Sequence, residues 1–175
     1  MTRENVILKT PRLSFVMWDE SDAGLVQQLH STMATTRYLS GYAPWSLGKA
    51  EERLRGWFEE QARDGTTKYK LLAEDGSFVG RAGISRFRSE EFELGYSLRE
   101  EAWGKGLATE AASALVDWFF ERKLASGFIA FTHPENTASQ RVLRKIGMRE
   151  RGPIQIDGMP GLAFELTADR RSAEL

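Results

Sequence analysis

A change of hydrophobic period near the middle of the chain is the feature that most constrains its fold. From Phe92 to Leu98 apolar residues recur at every second position, and from Leu107 to Phe119 they recur at every fourth. The first period predicts a strand with one apolar face, and the second predicts a helix with one apolar stripe. The loop between them contains two glycines around a lysine, at residues 104–106. The sequence therefore predicts a strand, a short glycine loop and a helix in direct succession.

This glycine loop lies where a helix begins, a position that suits an anion. The first backbone N–H groups of a helix have no partner within the helix, and the helix dipole adds partial positive charge there. Glycine also permits positive φ and a close approach of the anion to the amides. The loop differs from two familiar phosphate loops, because Thr109 replaces the third glycine of the dinucleotide fingerprint and no Gly-Lys-Ser/Thr ending is present. Phosphate binding and a plain tight turn both remain compatible with the spacing.

Length, charge and hydropathy exclude several classes of protein. The 175 residues fit one domain, 1–175, with a sizeable core, and we find no repeat or linker. A net charge of −1 gives no reason to expect nucleic acid or an anionic membrane as a partner. The sequence has no apolar run near the roughly 18 residues of a membrane span and no signal sequence at its start, so we expect a cytoplasmic protein.

The cysteine and histidine content of the chain excludes several kinds of catalytic and metal site. The chain has no cysteine, which excludes a disulfide framework, a thiolate metal site and a cysteine nucleophile. Its two histidines, His30 and His133, do not have the spacing of a ligand cluster. We interpret both as polar surface or loop residues and expect no metal.

Periodicity and turn signals predict about seven strands and four flanking helices. The strands cover about 13–17, 68–74, 78–87, 91–98, 128–131, 148–155 and 162–167. The helices cover about 21–33, 46–64, 106–122 and 136–146. Residues 168–175 are polar and are expected to form a frayed tail. In the fourth strand Glu93, Gly95 and Ser97 lie opposite the apolar face, and Gly95 indicates a bulge or a close backbone approach.

Four short runs of sequence resemble the motifs of one known family, in the same order and at similar spacing, over nearly the whole chain. These are Leu8–Leu13, Ala102–Ala111, Pro134–Ser139 and Leu143–Met148. Together they resemble the GCN5-related N-acetyltransferases (GNAT), and within them the ribosomal-protein-alanine (RimJ/RimL-like) type. The resemblance implies an α/β (α+β) fold whose mixed, mostly antiparallel sheet has its fourth and fifth strands splayed apart. It also implies acetyl-CoA as co-substrate, with the pantetheine arm lying between those strands.

The resemblance extends to individual residues of the donor site. It implies that backbone near the end of the fourth strand, the glycine loop and the start of two helices hold acetyl-CoA: Ser97, Leu98, Trp103, Gly104, Lys105, Gly106, Ala108, Thr109 and Asn136. The family's usual loop begins with Gln or Arg, and this chain departs from that pattern with Glu101.

Two residues are candidates for catalysis. Glu93 lies before the donor site and off the apolar face, so it is our candidate base, acting through water, with a solvated surface carboxylate as the alternative. Ser139 resembles the serine that the ribosomal type presents to the CoA sulfur, although Ser139 and Asn136 could equally cap a helix. Leu143 stands where many family members have a tyrosine, so the tyrosine mechanism of those members is not expected here.

The acceptor site is less defined. The family usually shapes it in the aromatic loop that here contains Tyr38 and Trp45, although packing over the core would also explain these rings. Arg86, with Arg37 and Arg88, is predicted to flank the mouth, which argues against a polyamine and favours an acceptor with a carboxylate or a peptide backbone. The resemblance by itself leaves a peptide N-terminus, a lysine, a polyamine and a small molecule such as an aminoglycoside open as acceptors. A non-catalytic acyl-CoA sensor, or an interaction protein whose glycine turn is only structural, remains open, as does a homodimer.

Overall fold

A single sheet organises the fold in the computed structural model, which describes residues 5–39, 41–88 and 91–173. Eight strands within this part of the chain have the order β1-β2-β3-β4-β5-β6-β8-β7. They are β1 Val6–Lys9, β2 Leu13–Val16, β3 Lys68–Ala73, β4 Phe78–Phe87, β5 Glu91–Leu98, β6 Gly127–Thr132, β7 Arg149–Ile156 and β8 Met159–Thr167. All neighbouring pairs among these strands are antiparallel except β5 and β6, which are parallel. The predicted mixed, mostly antiparallel sheet is confirmed.

Six α-helices accompany the described strands. They are α1 Ala23–Leu29, α2 Met33–Thr36, α3 Leu47–Asp64, α4 Leu107–Glu121, α5 Thr137–Lys145 and α6 Ala168–Ala173. The predicted limits of α3 have clear causes, because Ser46 accepts a hydrogen bond from the Lys49 amide and Gly65 ends the helix at a φ of 71°. None of the helices in the described ranges is long and apolar enough to cross a membrane.

The structure differs from the sequence prediction at both ends of the chain. Strand β1 is an addition, and the predicted first helix is divided into α1 and α2. The division occurs because Thr32 caps a new helix, its hydroxyl accepting a hydrogen bond from the Thr35 amide. Residues 168–173 of the predicted frayed tail form α6 instead, since the Ala168 amide bonds to Ser126 and Arg171 pairs with Asp117 on α4. Residues 174–175 lie outside the described part.

The two faces of the sheet bury different cores. The larger core lies under α4 and α5 and includes Phe92 and Leu94 of β5 together with Phe119. The smaller core lies under α1 and α3 and is centred on Trp18 and Trp57, whose rings stack with centroids 5.0 Å apart. We call these the α4 face and the α3 face. The predicted alternation of β5 is confirmed, because its apolar residues pack on the α4 face.

Strands β5 and β6 separate along their length. Their parallel pairing is confined to Glu93 with Ile129 and Leu94 with Ala130. Beyond this point β5 continues through residues 95–98 and still pairs with β4, but it has no paired residue on β6. The predicted splay is therefore confirmed, and it opens the sheet beside the carboxyl end of β5, directly before the glycine loop.

His30 lies in the turn after α1, as the loop alternative predicts, but it packs beside the smaller core and does not lie at the surface. It is fully buried, and its ring stacks on Trp45 with centroids 3.9 Å apart. Burial, aided by the nearby charge of Arg81, lowers the His30 pKa from 6.5 to about 3. The Nδ1 atom lies 2.9 Å from the Val26 carbonyl oxygen, so the neutral ring donates a hydrogen bond there.

This buried histidine makes the stability of the fold depend on pH. Its folded pKa lies below its unfolded value, so its stabilising contribution is complete above pH 6.5 and declines as the pH falls below that value. We expect the titration of His30 to lower the free energy of unfolding by about 2 kcal/mol as the pH falls from about 6.5 to about 5. Urea unfolding at several pH values would measure it. The His30→Gln variant should lose this dependence and His133→Gln should keep it; equal slopes in both would contradict the assignment.

Candidate active site

The glycine loop has the backbone conformation that the sequence analysis predicts. Gly104 and Gly106 have φ values of 72° and 75°, in the left-handed region that favours glycine. Among the described residues no side chain caps the start of α4, so its first amides are open to an anion. Lys105 is exposed, while Ala108 and Thr109 lie half-buried in the first turn of α4. This arrangement has the elements of a phosphate site.

Arg12, which the sequence analysis did not single out as a site residue, fixes this loop from the β1–β2 turn. Its Nη1 donates to the Lys105 carbonyl oxygen at 2.8 Å, and its Nε donates to Glu110 at 2.6 Å. Glu110 also accepts hydrogen bonds from the Arg12 amide and the Thr10 hydroxyl. The C=O and N–H of one peptide unit point in opposite directions, so holding the Lys105 carbonyl directs the Gly106 amide away from Arg12.

Loss of this guanidinium should weaken binding at the loop without unfolding the protein. We expect Arg12→Ala to raise the dissociation constant for coenzyme A about tenfold, because the amides lose their fixed orientation. Calorimetric titration would measure the change. The control is Arg144→Ala, which removes a comparable pair with Glu150, 2.7 Å away on the surface. An equal loss in both variants would exclude a specific role for Arg12.

Trp103 and Leu98 connect the loop to the end of β5. The Trp103 indole Nε1 donates to the Leu98 carbonyl oxygen at 2.9 Å, while 48% of Trp103 is exposed. The Leu98 side chain is buried in the larger core, and Ser97 is half-buried beside Arg81 of β4. Backbone near Ser97 and Leu98 is predicted to bond pantetheine; the Leu98 carbonyl oxygen accepts one hydrogen bond from Trp103, and a carbonyl oxygen can accept two.

Glu93 projects on the α3 face, where a buried lysine approaches it. The Lys68 ammonium donates to the Glu93 carbonyl oxygen at 2.9 Å and to Ser85 Oγ at 3.0 Å, and it lies 4.0 Å from the Glu93 carboxylate. Lys68 is 4% exposed, and burial lowers its pKa despite the attraction of Glu93. The Glu93 side chain is 26% exposed. Glu93 is thus open to solvent on one side and faces a cation on the other.

Gly95 makes the approach of Lys68 to β5 possible. A Cβ at Gly95 would lie 2.8 Å from Lys68 Cε, so a larger residue would displace the lysine stem. The β4–β5 register runs without interruption past this residue. Both predictions for Gly95 are wrong, because the strand has no bulge there and the close approach is made by a lysine side chain and not by backbone.

Ser139 lies in the first turn of α5, and its hydroxyl contacts Tyr96 of β5. Ser139 Oγ is 2.8 Å from Tyr96 Oη. Asn136 caps the helix, since its Oδ1 accepts a hydrogen bond from the Ser139 amide at 3.2 Å. Leu143, one turn later, is 1% exposed in the larger core. The period-two pattern places Tyr96 on the apolar face of β5, and its hydroxyl on that face is the signal that could have identified it as a site residue.

The predicted acceptor residues do not all come together. Tyr38 stacks on His133 with centroids 5.1 Å apart, and its hydroxyl lies 3.4 Å from the Glu135 carbonyl oxygen. This places Tyr38 against the loop that precedes α5. Trp45 instead packs on buried His30 and the smaller core, so the packing interpretation applies to it.

Arg86, predicted to flank the mouth of the site, is held by residues of the fold. It pairs in register with Phe92, its guanidinium lies over the Phe92 ring, and its Nε is 3.0 Å from Asp64. Phe92 packs against Phe119 of α4, so Arg86 extends on the α4 face while Glu93 extends on the α3 face. Because adjacent strand positions point to opposite faces, Arg86 lies across the sheet from Glu93. Lys68 and Arg81 lie on the same face as Glu93, with Arg81 over the Trp57 ring.

Comparison with known proteins agrees with this geometry. A family model described as "Acetyltransferase (GNAT) domain" matches residues 12–149. The uncharacterized protein YkkB of Bacillus subtilis (strain 168) is 31% identical over 157 residues, covering 85% of this chain and 88% of YkkB. The uncharacterized N-acetyltransferase p20 of Bacillus licheniformis is 25% identical over 151 residues, covering 85% of each chain.

A solved structure shares the fold at lower identity. RimL, described as a ribosomal L7/L12 alpha-N-protein acetyltransferase in complex with coenzyme A, superposes with a TM-score of 0.80. It is 18% identical, and the match covers 94% of this chain and 99% of RimL. With the family model spanning most of the chain, the splayed strands and the glycine loop place this protein in the GNAT family of acetyltransferases.

Proposed function

We propose that the protein transfers the acetyl group of acetyl-CoA to an amine by direct attack in a ternary complex. The main support for this proposal is the separation of β5 from β6, because the unpaired end of β5 lies directly before the open amides at the start of α4. A strand edge next to a helix N-terminus provides backbone groups for an extended arm and an anion site for its phosphates. Acetyl-CoA has both parts in that order.

The proposed donor site uses the residues predicted from the sequence. The pyrophosphate would bind the amides around Gly104, Lys105, Gly106 and Ala108, with the Thr109 hydroxyl as a further donor. The pantetheine arm would follow residues 95–98 of β5. Ser139 and Asn136 at the start of α5 would then lie toward the sulfur end.

The proposed nucleophile is an α-amine, because such an amine is already partly neutral at neutral pH. About 15% of an α-amine with a pKa near 7.7 is unprotonated at about pH 7, compared with about 0.04% of a lysine amine. Glu93 would accept a proton from the attacking amine, through water. Lys68 and Arg81 put positive charge on the face of Glu93, which disfavours polycationic acceptors such as polyamines. We therefore propose a peptide or protein N-terminus as the acceptor.

A second candidate is an acyl-CoA sensor without turnover. It is favoured by Leu143, because this buried apolar residue occupies the position where the family often has a tyrosine. A sensor would bind acetyl-CoA with the same loop and transfer nothing.

The test is a calorimetric titration with acetyl-CoA followed by an acceptor screen. The screen would compare peptides with free and blocked N-termini, lysine side chains, polyamines and aminoglycosides, with the mass of each product as the readout. We expect micromolar binding and acetylation of free N-termini in preference to the other amines. Binding without transfer to any acceptor would favour the sensor, and absence of binding by the folded protein would contradict both functions.

A further inference from the structure

A tyrosine on the splayed strand contacts the serine predicted to face the CoA sulfur. Tyr96 Oη lies 2.8 Å from Ser139 Oγ and 3.4 Å from the Ser139 carbonyl oxygen. Tyr96 is the second residue after Leu94, the last β5 residue paired with β6. The pair therefore connects β5 to the start of α5 at the place where the sheet opens.

We propose that Tyr96 is a positioning residue that helps the thiolate depart by acting through Ser139. This inference rests on the proposed function, since it needs coenzyme A in the opening between β5 and β6. In this role the Tyr96 hydroxyl acts on Ser139, while the Tyr96 ring packs against the larger core.

The direction of the hydrogen bond determines what Ser139 can do. A hydroxyl has one hydrogen and two acceptor lone pairs. If Tyr96 donates to Ser139 Oγ, the serine hydrogen is free to point at the sulfur. Burial raises the Tyr96 pKa to about 12, so the phenol stays protonated and remains a donor at neutral pH. Two aligned donors then stabilise negative charge on sulfur, because hydrogen bonds in a chain polarise one another.

The reaction is balanced without a proton leaving Ser139 or Tyr96. The amine nitrogen forms a bond to the acetyl carbon, and its proton passes to Glu93 through water. The C–S bond breaks with both electrons going to sulfur. The resulting thiolate has a conjugate thiol pKa near 8.5 and takes a proton from solvent, and Glu93 returns the proton of the amine to solvent. The Ser139–Tyr96 pair stabilises the thiolate by hydrogen bonding alone.

The absence of cysteine allows a direct measurement. Coenzyme A supplies the sole thiol in a sample with this protein, so the ultraviolet absorbance of its thiolate can be titrated in the bound state. We expect the thiol pKa of bound CoA to be about one unit lower in the wild type than in Tyr96→Phe or Ser139→Ala. Tyr69→Phe is the matched control, because it removes a tyrosine hydrogen bond to Gln61 that involves none of the proposed donor residues.

A double-mutant comparison separates positioning from a structural role. If Tyr96 acts through Ser139, Tyr96→Phe should change neither the thiol pKa nor kcat further when Ser139→Ala is already present. A structural role for Tyr96 would give the same loss in both backgrounds. Equal thiol pKa values in the wild type and Tyr96→Phe, with CoA bound to both, would overturn the inference. A wild-type protein that does not bind CoA would instead overturn the proposed function, and the inference with it.

Discussion

Replacement of Gly106 by glutamate should reduce the affinity for coenzyme A at least about 100-fold, or about 3 kcal/mol. Gly106 has a φ of 75°, and it is the last residue before α4. A side chain there would strain the backbone, and a carboxylate would put negative charge next to the phosphates. A Cβ at this position would also lie 3.6 Å from Arg12 Nη2, so the new carboxylate could compete with Glu110 for Arg12. Calorimetric titration with coenzyme A would measure the loss.

Backbone strain must be separated from the loss of the anion site. Gly76→Glu is the matched control, because Gly76 has a φ of 81° in the β3–β4 turn, with no atom near its would-be Cβ. Both variants should lose some thermal stability, and Gly76→Glu should bind CoA as the wild type does. Unchanged affinity in a folded Gly106→Glu protein would show that the loop is only a turn.

Glu93→Gln should lower kcat/KM for the preferred amine about 100-fold while the dissociation constant for acetyl-CoA stays the same. General-base catalysis typically contributes a factor of this size, and glutamine cannot accept the proton. The substitution keeps the Lys68 bonds to the Glu93 carbonyl and to Ser85, because neither involves the carboxylate. The fold around Lys68 should therefore survive. Steady-state kinetics with an N-terminal peptide, together with thermal unfolding, would test both parts.

Glu91→Gln is the control for this variant. Glu91 lies two residues earlier on β5, is exposed and has Arg151 3.7 Å away. Its replacement should leave the kinetics unchanged. Equal kinetics for Glu93→Gln and the wild type would make Glu93 the solvated strand carboxylate of the alternative interpretation.

Much of the fold follows from local patterns. The period-two run of β5, the glycines of the loop and the apolar stripe of α4 each concern neighbours within a few residues, so the sequence displays them directly. The end of α3 at Gly65 has the same origin. The split of the predicted first helix at Thr32 was missed, because capping side chains compete with helix propagation and the apolar pattern runs across them.

The candidate site shows where local patterns fail. Arg86 and Trp45 have chemistry that suits an acceptor site, and in the structure Arg86 is paired with Asp64 and Trp45 is stacked on His30. Arg12 had no distinguishing local signal, and Tyr96 had only its hydroxyl on an otherwise apolar strand face; both residues contact predicted site residues. Arg12 bonds to the loop at Lys105, 93 residues later in the chain, and Tyr96 meets Ser139 at a separation of 43 residues. Such contacts depend on the order of strands in the sheet.

The sequence by itself determined the strand, the glycine loop and the helix, together with the family they resemble. These features are set by backbone geometry and side-chain periodicity over short stretches. The tertiary structure decided which side chains meet at the splay: Lys68 with Glu93, Ser139 with Tyr96, and Arg12 with the loop. Those pairs form because sheet pairing and helix packing bring distant segments within hydrogen-bonding distance, and no local pattern encodes that distance.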